Sequence, residues 1–228
     1  MLSGKISCQL FLVAFVIMLL NITAVAQNRD AGLWTSVSFE AKLIKKLTGS
    51  ISQEVRFNEN MTEMGTSYSD AGIEYKVNKN FNFSVNYRFV QKRRTDDSYS
   101  YRHRVYIDLK YGKKIKPFQI QLRTRLQDQY SDIGRAADGG VAGYYLRNRL
   151  SLKWDTKKVY VPYISIEVFS PLNFPRYAMF DNIRSSAGVE FELSKHHKLD
   201  LFYMIQKELN VSLPRTDFIL GAGYSFKL

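Results

Sequence analysis

Repeated alternation of apolar and polar residues is the feature that most limits how this chain can fold. Between residues 81 and 89 every odd position is apolar or aromatic, whereas the even positions are Asn, Ser, Asn and Arg. Residues 118–127 and 144–154 follow a similar period of two. Because successive side chains of a strand point to opposite faces, this period predicts β-strands with one apolar and one polar face.

Similar segments of about ten residues run along most of the chain after the first 30 residues, and no convincing amphipathic helix interrupts them. There are eleven: 33–43, 47–57, 67–77, 81–89, 100–111, 118–127, 144–154, 159–169, 183–193, 198–207 and 216–228. The chain is therefore predicted to be all-β.

The connections between these segments alternate in length. The short ones fall at 45–46, 78–80, 112–117, 155–158 and 194–198. The longer ones run near 58–66, 92–99, 129–143, 170–182 and 208–215. Short periplasmic turns on one rim and long extracellular loops on the other are typical of outer-membrane barrels.

A soluble barrel also alternates, but three features favour a membrane barrel. Strands of about ten residues match a tilted bilayer crossing. The polar faces are rich in arginine and glutamate, whereas the apolar faces carry almost no charge. Aromatic residues gather near strand ends, where interface girdles lie: Trp34, Tyr75, Tyr111, Phe118, Trp154, Tyr160 and Phe191. The prediction is a closed antiparallel up-and-down transmembrane β-barrel of 10–12 strands.

The amino-terminal end reads as an export signal. Lys5 precedes an apolar run from Leu10 to Leu20, which ends at Ala24-Val25-Ala26. This pattern predicts a cleaved secretory signal peptide over 1–26 and a single barrel domain over 27–228, with a membrane-anchoring helix as the alternative. Cys8, the one cysteine, lies within the signal, so disulfides and thiolate chemistry are excluded from the mature chain.

The formal net charge of +12 would suggest nucleic acid as the partner of a cytosolic protein. Export argues against that partner, and lysines in every short turn account for much of the surplus. The expected partners are outer-membrane lipid and lipopolysaccharide, together with the barrel-insertion machinery, which would recognise the aromatic-rich closing segment 218–228. We expect a monomer.

The polar faces predict a charged lumen. Arginines on the fourth to seventh segments form an expected basic wall: Arg88, Arg102, Arg104, Arg123, Arg125, Arg147 and Arg149. The acidic candidates lie on the first three segments and the ninth: Glu40, Glu54, Glu74, Glu190 and Glu192. A basic wall facing an acidic one would place a transverse field across a narrow pore, and arginine rings favour anions.

Three classes of function remain open. The lumen forms a narrow porin-like channel for small anionic solutes, or its charges pair and close it, as in barrels of about eight strands. A closed barrel would serve as a structural protein or bind partners through the loop 129–143. An outer-membrane lipid hydrolase would need a nucleophile beside a base, and His103 near Ser98 and Ser100 is the single candidate. We expect no enzyme, no catalytic residue, no metal site and no cofactor.

Several short motifs follow one another in an order that matches a known family pattern: Leu33-Trp34-Thr35, Tyr101-Arg102-His103-Arg104, Gln121-Leu122-Arg123-Thr124-Arg125, Tyr145-Leu146-Arg147-Asn148-Arg149, Pro162-Tyr163, Gly188-Val189-Glu190, 195–203 and Gly221-Ala222-Gly223-Tyr224. In order and spacing the chain resembles the bacterial envelope family called domain of unknown function 2490, common in the Bacteroidetes. The resemblance covers nearly the whole mature chain. It implies an outer-membrane barrel and brings no established activity or site residues.

The count of eleven segments conflicts with the even strand numbers of bacterial single-chain barrels. With a periplasmic carboxyl terminus, either the segment 33–43 begins at the outer rim, or a short strand precedes it or lies within a loop.

Overall fold

The computed structural model describes residues 29–94, 96–132, 135–136, 143–172 and 179–228. They form β1 (Arg29–Ile44), β2 (Leu47–Asn58), β3 (Glu63–Lys76), β4 (Phe81–Arg93), β5 (Tyr99–Ile115), β6 (Phe118–Asp132), β7 (Arg135–Ala136), β8 (Tyr145–Trp154), β9 (Tyr160–Pro171), β10 (Asn182–Glu192), β11 (His197–Glu208) and β12 (Thr216–Lys227). Over the described residues, no helix has the length and apolar character needed to cross a membrane.

The eleven long strands close into one barrel. Each pairs antiparallel with its neighbours in the chain, β6 pairs with both β5 and β8, and the two-residue β7 adds to the end of β6. The barrel closes where β1 and β12 run parallel, from Arg29 opposite Thr216 to Glu40 opposite Lys227. Both edges are thereby paired, as lipid-facing backbone requires. The predicted transmembrane up-and-down barrel is confirmed, with one parallel pair added.

The odd strand number explains that parallel pair. Strands of an up-and-down barrel alternate in direction, so the first and last of eleven point the same way. At one rim, which we call the long-loop rim, the Met61 N–H donates to the carbonyl of Ala31 at 3.1 Å. At the other, the short-turn rim, the Leu228 N–H donates to the carbonyl of Glu40 at 2.9 Å. β1 therefore begins at the long-loop rim, which was one of the two alternatives.

The barrel is apolar outside and polar inside. Ile51 is 60% exposed and Ile164 is 58% exposed on the outer surface. Inside, Ser84 and Asp108 are each 3% exposed and Glu167 is 6% exposed. This distribution is the reverse of that in a soluble barrel and places the apolar face of each strand toward lipid.

Trp34 corrects the predicted aromatic girdle. Tyr75, Tyr111, Phe118 and Trp154 are exposed on the outer surface as expected. Trp34 instead faces the lumen, where the guanidinium carbon of Arg56 lies 3.4 Å from its ring centroid. Its neighbour Leu33 occupies the outward position of β1, and the alternation therefore turns the indole inward.

Aromatic side chains fill the lumen beside β10 and β12, where both strands carry glycine. A Cβ atom at Gly221 would overlap the ring of Phe202. At Gly188 it would lie 2.7 Å from Cζ of Tyr163. The two glycines thus provide the space in which these inward-pointing rings pack.

Substitution of Gly221 tests this packing. We expect Gly221→Ala to lower the free energy of unfolding by about 1–3 kcal/mol, because Phe202 must leave its rotamer. Urea unfolding in lipid vesicles, followed by gel migration with and without heating, measures the change. Gly112→Ala is the matched control, since its Cβ would meet nothing nearer than the Ile120 carbonyl at 3.9 Å. Equal destabilisation of both variants would contradict the packing argument.

Candidate functional site in the barrel lumen

The predicted basic wall lies on adjacent, hydrogen-bonded strands. Arg88 of β4 is opposite Arg104 of β5. Arg125 and Arg123 of β6 are opposite Arg147 and Arg149 of β8. All point inward, because the intervening residues are the apolar ones that face lipid. The alternation therefore brings the seven sequence-predicted arginines to one side of the lumen, with Arg102 nearer the long-loop rim.

Six of these arginines, all but Arg102, line a cavity of about 560 Å³, and a second cavity of about 340 Å³ adjoins it toward the long-loop rim. Arg56, Arg104 and Arg184 line both, so we treat them as one arginine chamber. Nine cationic residues line the larger cavity: Arg56, Arg88, Lys92, Arg104, Arg123, Arg125, Arg147, Arg149 and Arg184. Three acidic residues line it: Glu54, Glu167 and Asp181. Positive charge is therefore in large excess.

Glu167 of β9 is the centre of an ion-pair cluster that sequence reasoning missed. Its Oε1 atom accepts from Nη2 of Arg123 at 2.5 Å and lies 2.9 Å from Nη2 of Arg147. Arg184 approaches its other oxygen at 4.0 Å. One buried carboxylate thus organises three arginines from different strands. The inward position of Glu167 in the alternation of β9 was the signal that could have identified it.

Two further carboxylates lie within the basic wall. Asp108 accepts two hydrogen bonds from Arg125, at 2.6 and 2.8 Å. Asp70 accepts from Nε of Arg88 and from the hydroxyl of Tyr106, both at 2.7 Å. The expectation of separate basic and acidic walls is therefore wrong, because the carboxylates needed to bury arginine lie among the arginines.

Aromatic rings separate the guanidinium groups. The Tyr68 ring centroid lies 4.4 Å from the guanidinium carbon of Arg56 and 4.5 Å from that of Arg88. Phe169 is placed similarly between Arg147 and Arg184. Cation–π contacts of this kind hold arginines in place without neutralising them. The chamber therefore keeps its positive charge while its side chains stay ordered.

Arg104 and Arg149 form no close ion pair with a described carboxylate, although Arg149 lies opposite Glu167 in the pairing of β8 with β9. Arg104 donates to the neutral amide oxygen of Gln129. Arg149 lines the chamber and forms no ion pair with a described residue. Guanidinium groups in a partly dehydrated cavity attract carboxylate, phosphate or halide ions strongly. The chamber is chemically suited to hold small anions.

The sequence-predicted acidic residues lie at different depths. Glu54 borders the chamber and accepts from Arg56 at 2.5 Å. Deeper in the lumen, Glu74 pairs with Lys110 at 2.6 Å and Glu190 with Lys153 at 2.5 Å. The remaining two are outside the lumen proper, at the short-turn rim: Glu40 near Lys227 and Glu192 near Lys198. They follow the inward period, but they lie near the short-turn ends of β1 and β10.

His103, the candidate base of a lipid hydrolase, contacts a tyrosine hydroxyl. Its Nδ1 atom lies 2.6 Å from the Tyr87 hydroxyl on the outer surface. The hydroxyls of Ser98 and Ser100 donate to Asp96 and to the carbonyl of Lys92. No cluster of three or more potential metal ligands occurs in the described ranges.

The Glu167 cluster predicts a large loss of stability on charge removal. Glu167→Gln leaves Arg123 and Arg147 buried beside a neutral amide, and we expect a loss of about 3–5 kcal/mol in the free energy of unfolding. Glu192→Gln, which removes one exposed rim carboxylate, should cost about 1 kcal/mol or less. Urea titration followed by tryptophan fluorescence measures both. Similar effects would show that Glu167 has no special structural role.

The fold defines the class to which the protein belongs, that of transmembrane β-barrels, and its similar solved structures are outer-membrane barrels. The NanC porin aligns with a TM-score of 0.48 and 11% identity, covering 77% of this chain and 85% of that one. LpxR from Salmonella typhimurium gives 0.43 and 9%, covering 78% and 83%. The anion-selective porin from Comamonas acidovorans gives 0.38 and 12%, covering 81% and 54%. At these identities the likeness concerns the fold alone.

The family is shown by the sequence itself. Residues 31–215 match the family described as "Protein of unknown function (DUF2490)". The chain therefore belongs to that family, as its short motifs suggested. No curated protein matches the sequence.

Proposed function

We propose that this protein resides in the bacterial outer membrane and gives small anionic solutes passage through its lumen. The observation that carries the proposal is the excess of cationic over acidic residues around the arginine chamber. In particular, Arg104 and Arg149 form no close ion pair with a described carboxylate. A fixed positive field of this kind concentrates anions and repels cations.

The size of the chamber supports small solutes. A cavity of about 560 Å³ is in the range of ordinary small-molecule pockets. An eleven-stranded barrel is also narrower than the porins of sixteen or more strands that enclose open aqueous channels. Passage would therefore be limited to small solutes, which would cross the chamber one at a time and replace water at its guanidinium groups.

A closed barrel is the second candidate, and the ion pairs favour it. Asp108, Arg125, Arg147 and Glu167 are each at most 7% exposed, so part of the lumen is filled by paired charges. In that case the arginine chamber, next to the long-loop rim, would bind an anion without letting it pass. Measurements of conductance and of binding separate the two functions.

Ion selectivity tests the proposed passage. In planar bilayers with a potassium chloride gradient, the refolded protein should show a reversal potential that favours chloride. Arg104→Gln with Arg149→Gln should lower the chloride-to-potassium permeability ratio by roughly threefold or more, because two positive charges leave the chamber. Conductance without chloride preference would contradict the proposal.

Arg93→Gln is the matched control for the loss of charge. Arg93 lies at the long-loop end of β4, in ion pairs with Glu63 and Asp97 outside the chamber. Its substitution should leave selectivity nearly unchanged. A barrel that binds chloride or phosphate but never conducts would instead support the closed barrel.

Site-directed labelling tests the location and orientation. Ser212→Cys lies beyond β11 on the long-loop rim, and Lys195→Cys lies in a short turn. With an outer-membrane barrel whose short turns are periplasmic, a membrane-impermeant maleimide should label Ser212→Cys on intact cells. Lys195→Cys should react only after the outer membrane is permeabilised. The opposite pattern would reverse the orientation, and no labelling of either variant in intact cells would argue against surface exposure.

A further inference from the structure

Another basic cavity, separate from the arginine chamber, lies in the short-turn half of the barrel. It measures about 500 Å³, and we call it the lysine pocket after four of the residues that line it: Lys79, Lys110, Lys113 and Lys114. Gln119 and Gln121 of β6 complete the part of its wall that matters here. Glu74, which pairs with Lys110, is the nearest described carboxylate on β3. The pocket is therefore cationic, like the arginine chamber.

The two cavities lie along the same wall of the barrel. On β6, Arg123 lines the arginine chamber and Gln121 lines the lysine pocket, and these are consecutive inward positions. On β5, Arg104 lines the chamber and Lys110 lines the pocket. The inward residues between them on β5 are Tyr106 and Asp108. Two inward side chains thus separate the cavities along β5, and none separates them along β6.

Those side chains form a buried partition, defined by Asp70, Ser84, Tyr106 and Asp108. Ser84 and Asp108 are 3% exposed and Tyr106 is 6% exposed. Asp70 binds both Arg88 and the Tyr106 hydroxyl, so the phenol is held across the gap between β3 and β5. Asp108 holds Arg125 through both of its oxygens. The partition is therefore ordered, and it presents carboxylates between two cationic cavities.

We propose that the lysine pocket is a second anion site on the passage and that the partition is the constriction between the two sites. This inference rests on the proposed function. Asp108 sets the height of the barrier, because its carboxylate occupies the guanidinium of Arg125 that a passing anion would otherwise use. An anion crosses when it replaces Asp108 at Arg125 and then moves to the ammonium groups below.

A hydrogen-bond donor without a partner among the described residues lies beside the proposed passage. The Nε atom of Arg123 is buried and donates to no partner among the described residues. Arg123 uses another of its nitrogens for Glu167, so this N–H remains available. A buried N–H without an acceptor is costly, and a transient anion or water would satisfy it. Arg123 is also the chamber residue next to the lysine pocket along β6.

Removal of the Asp108 charge tests the constriction. Asp108→Asn should raise the chloride conductance of single channels severalfold and raise the chloride-to-potassium permeability ratio. Glu190→Gln is the matched control, since it removes one lumenal carboxylate that pairs with Lys153 and lines neither cavity. A gain in conductance confined to Asp108→Asn supports the partition. Equal gains in both variants would show an effect of net charge alone and would overturn the inference.

A second variant keeps the test decisive if Asp108→Asn fails to fold, which heat-dependent gel migration would reveal. Tyr106→Ala opens the partition by volume and should also raise conductance. It keeps both partners of the Asp108–Arg125 ion pair but removes the ring that lies 3.8 Å from the guanidinium carbon of Arg125. No gain in any folded variant would overturn the partition even where the wild type prefers chloride. Absence of chloride preference and binding in the wild type would instead reject the proposed function itself.

Inorganic phosphate tests the lysine pocket as a site. Phosphate added on the short-turn side should block chloride current through the wild type. Lys79→Gln with Lys114→Gln should weaken that block severalfold, whereas Arg93→Gln should leave it unchanged. Block of equal strength in the lysine variant would show that the pocket is not part of the passage.

Discussion

Closure of the sheet between β1 and β12 is the constraint on which the rest of the structure depends. A backbone group that faces lipid has no water to bind, so both edge strands must be paired. The chain meets this demand with eleven strands, and an odd number forces the two terminal strands to run parallel. Once the sheet is closed, the pleat determines which side chains of a strand point outward and which point into the lumen. Apolar residues then face lipid, and every arginine of the polar face is enclosed.

Enclosure in the lumen changes the free-energy cost of the arginine charges and the interactions that they can form. A charge inside a narrow lumen is partly dehydrated, so it needs a counterion, a hydrogen bond or an aromatic face. The counterions are Asp70, Asp108 and Glu167. Gln129 accepts hydrogen bonds from Arg104. Tyr68 and Phe169 provide the aromatic faces. The excess of cationic over acidic residues around the chamber gives it a net positive field. Stability and the proposed anion affinity therefore depend on the same set of residues.

Much of the fold followed from local pattern alone. The period of two in segments such as 81–89 predicted strands, their lipid face and the inward direction of Arg88, and the alternating loop lengths predicted the hairpin order. The predicted site was less complete. Arg123 and Arg147 were identified, but their shared partner Glu167 was not, because it lies twenty or more residues away in the chain. Trp34 was assigned to the interface from its place near a strand end, although its phase within β1 points it into the lumen.

The sequence by itself determined that this chain forms a membrane barrel with a charged interior, since a two-residue period and short apolar faces are local properties. Tertiary structure alone decided which charges neutralise one another, that the odd strand count is closed by a parallel pair, and that Tyr106 and Asp108 stand between two cationic cavities. Those outcomes depend on register and barrel closure, which bring residues from distant strands within 3 Å of one another. No local pattern encodes such distances, because they arise only when the eleven strands meet around a common lumen.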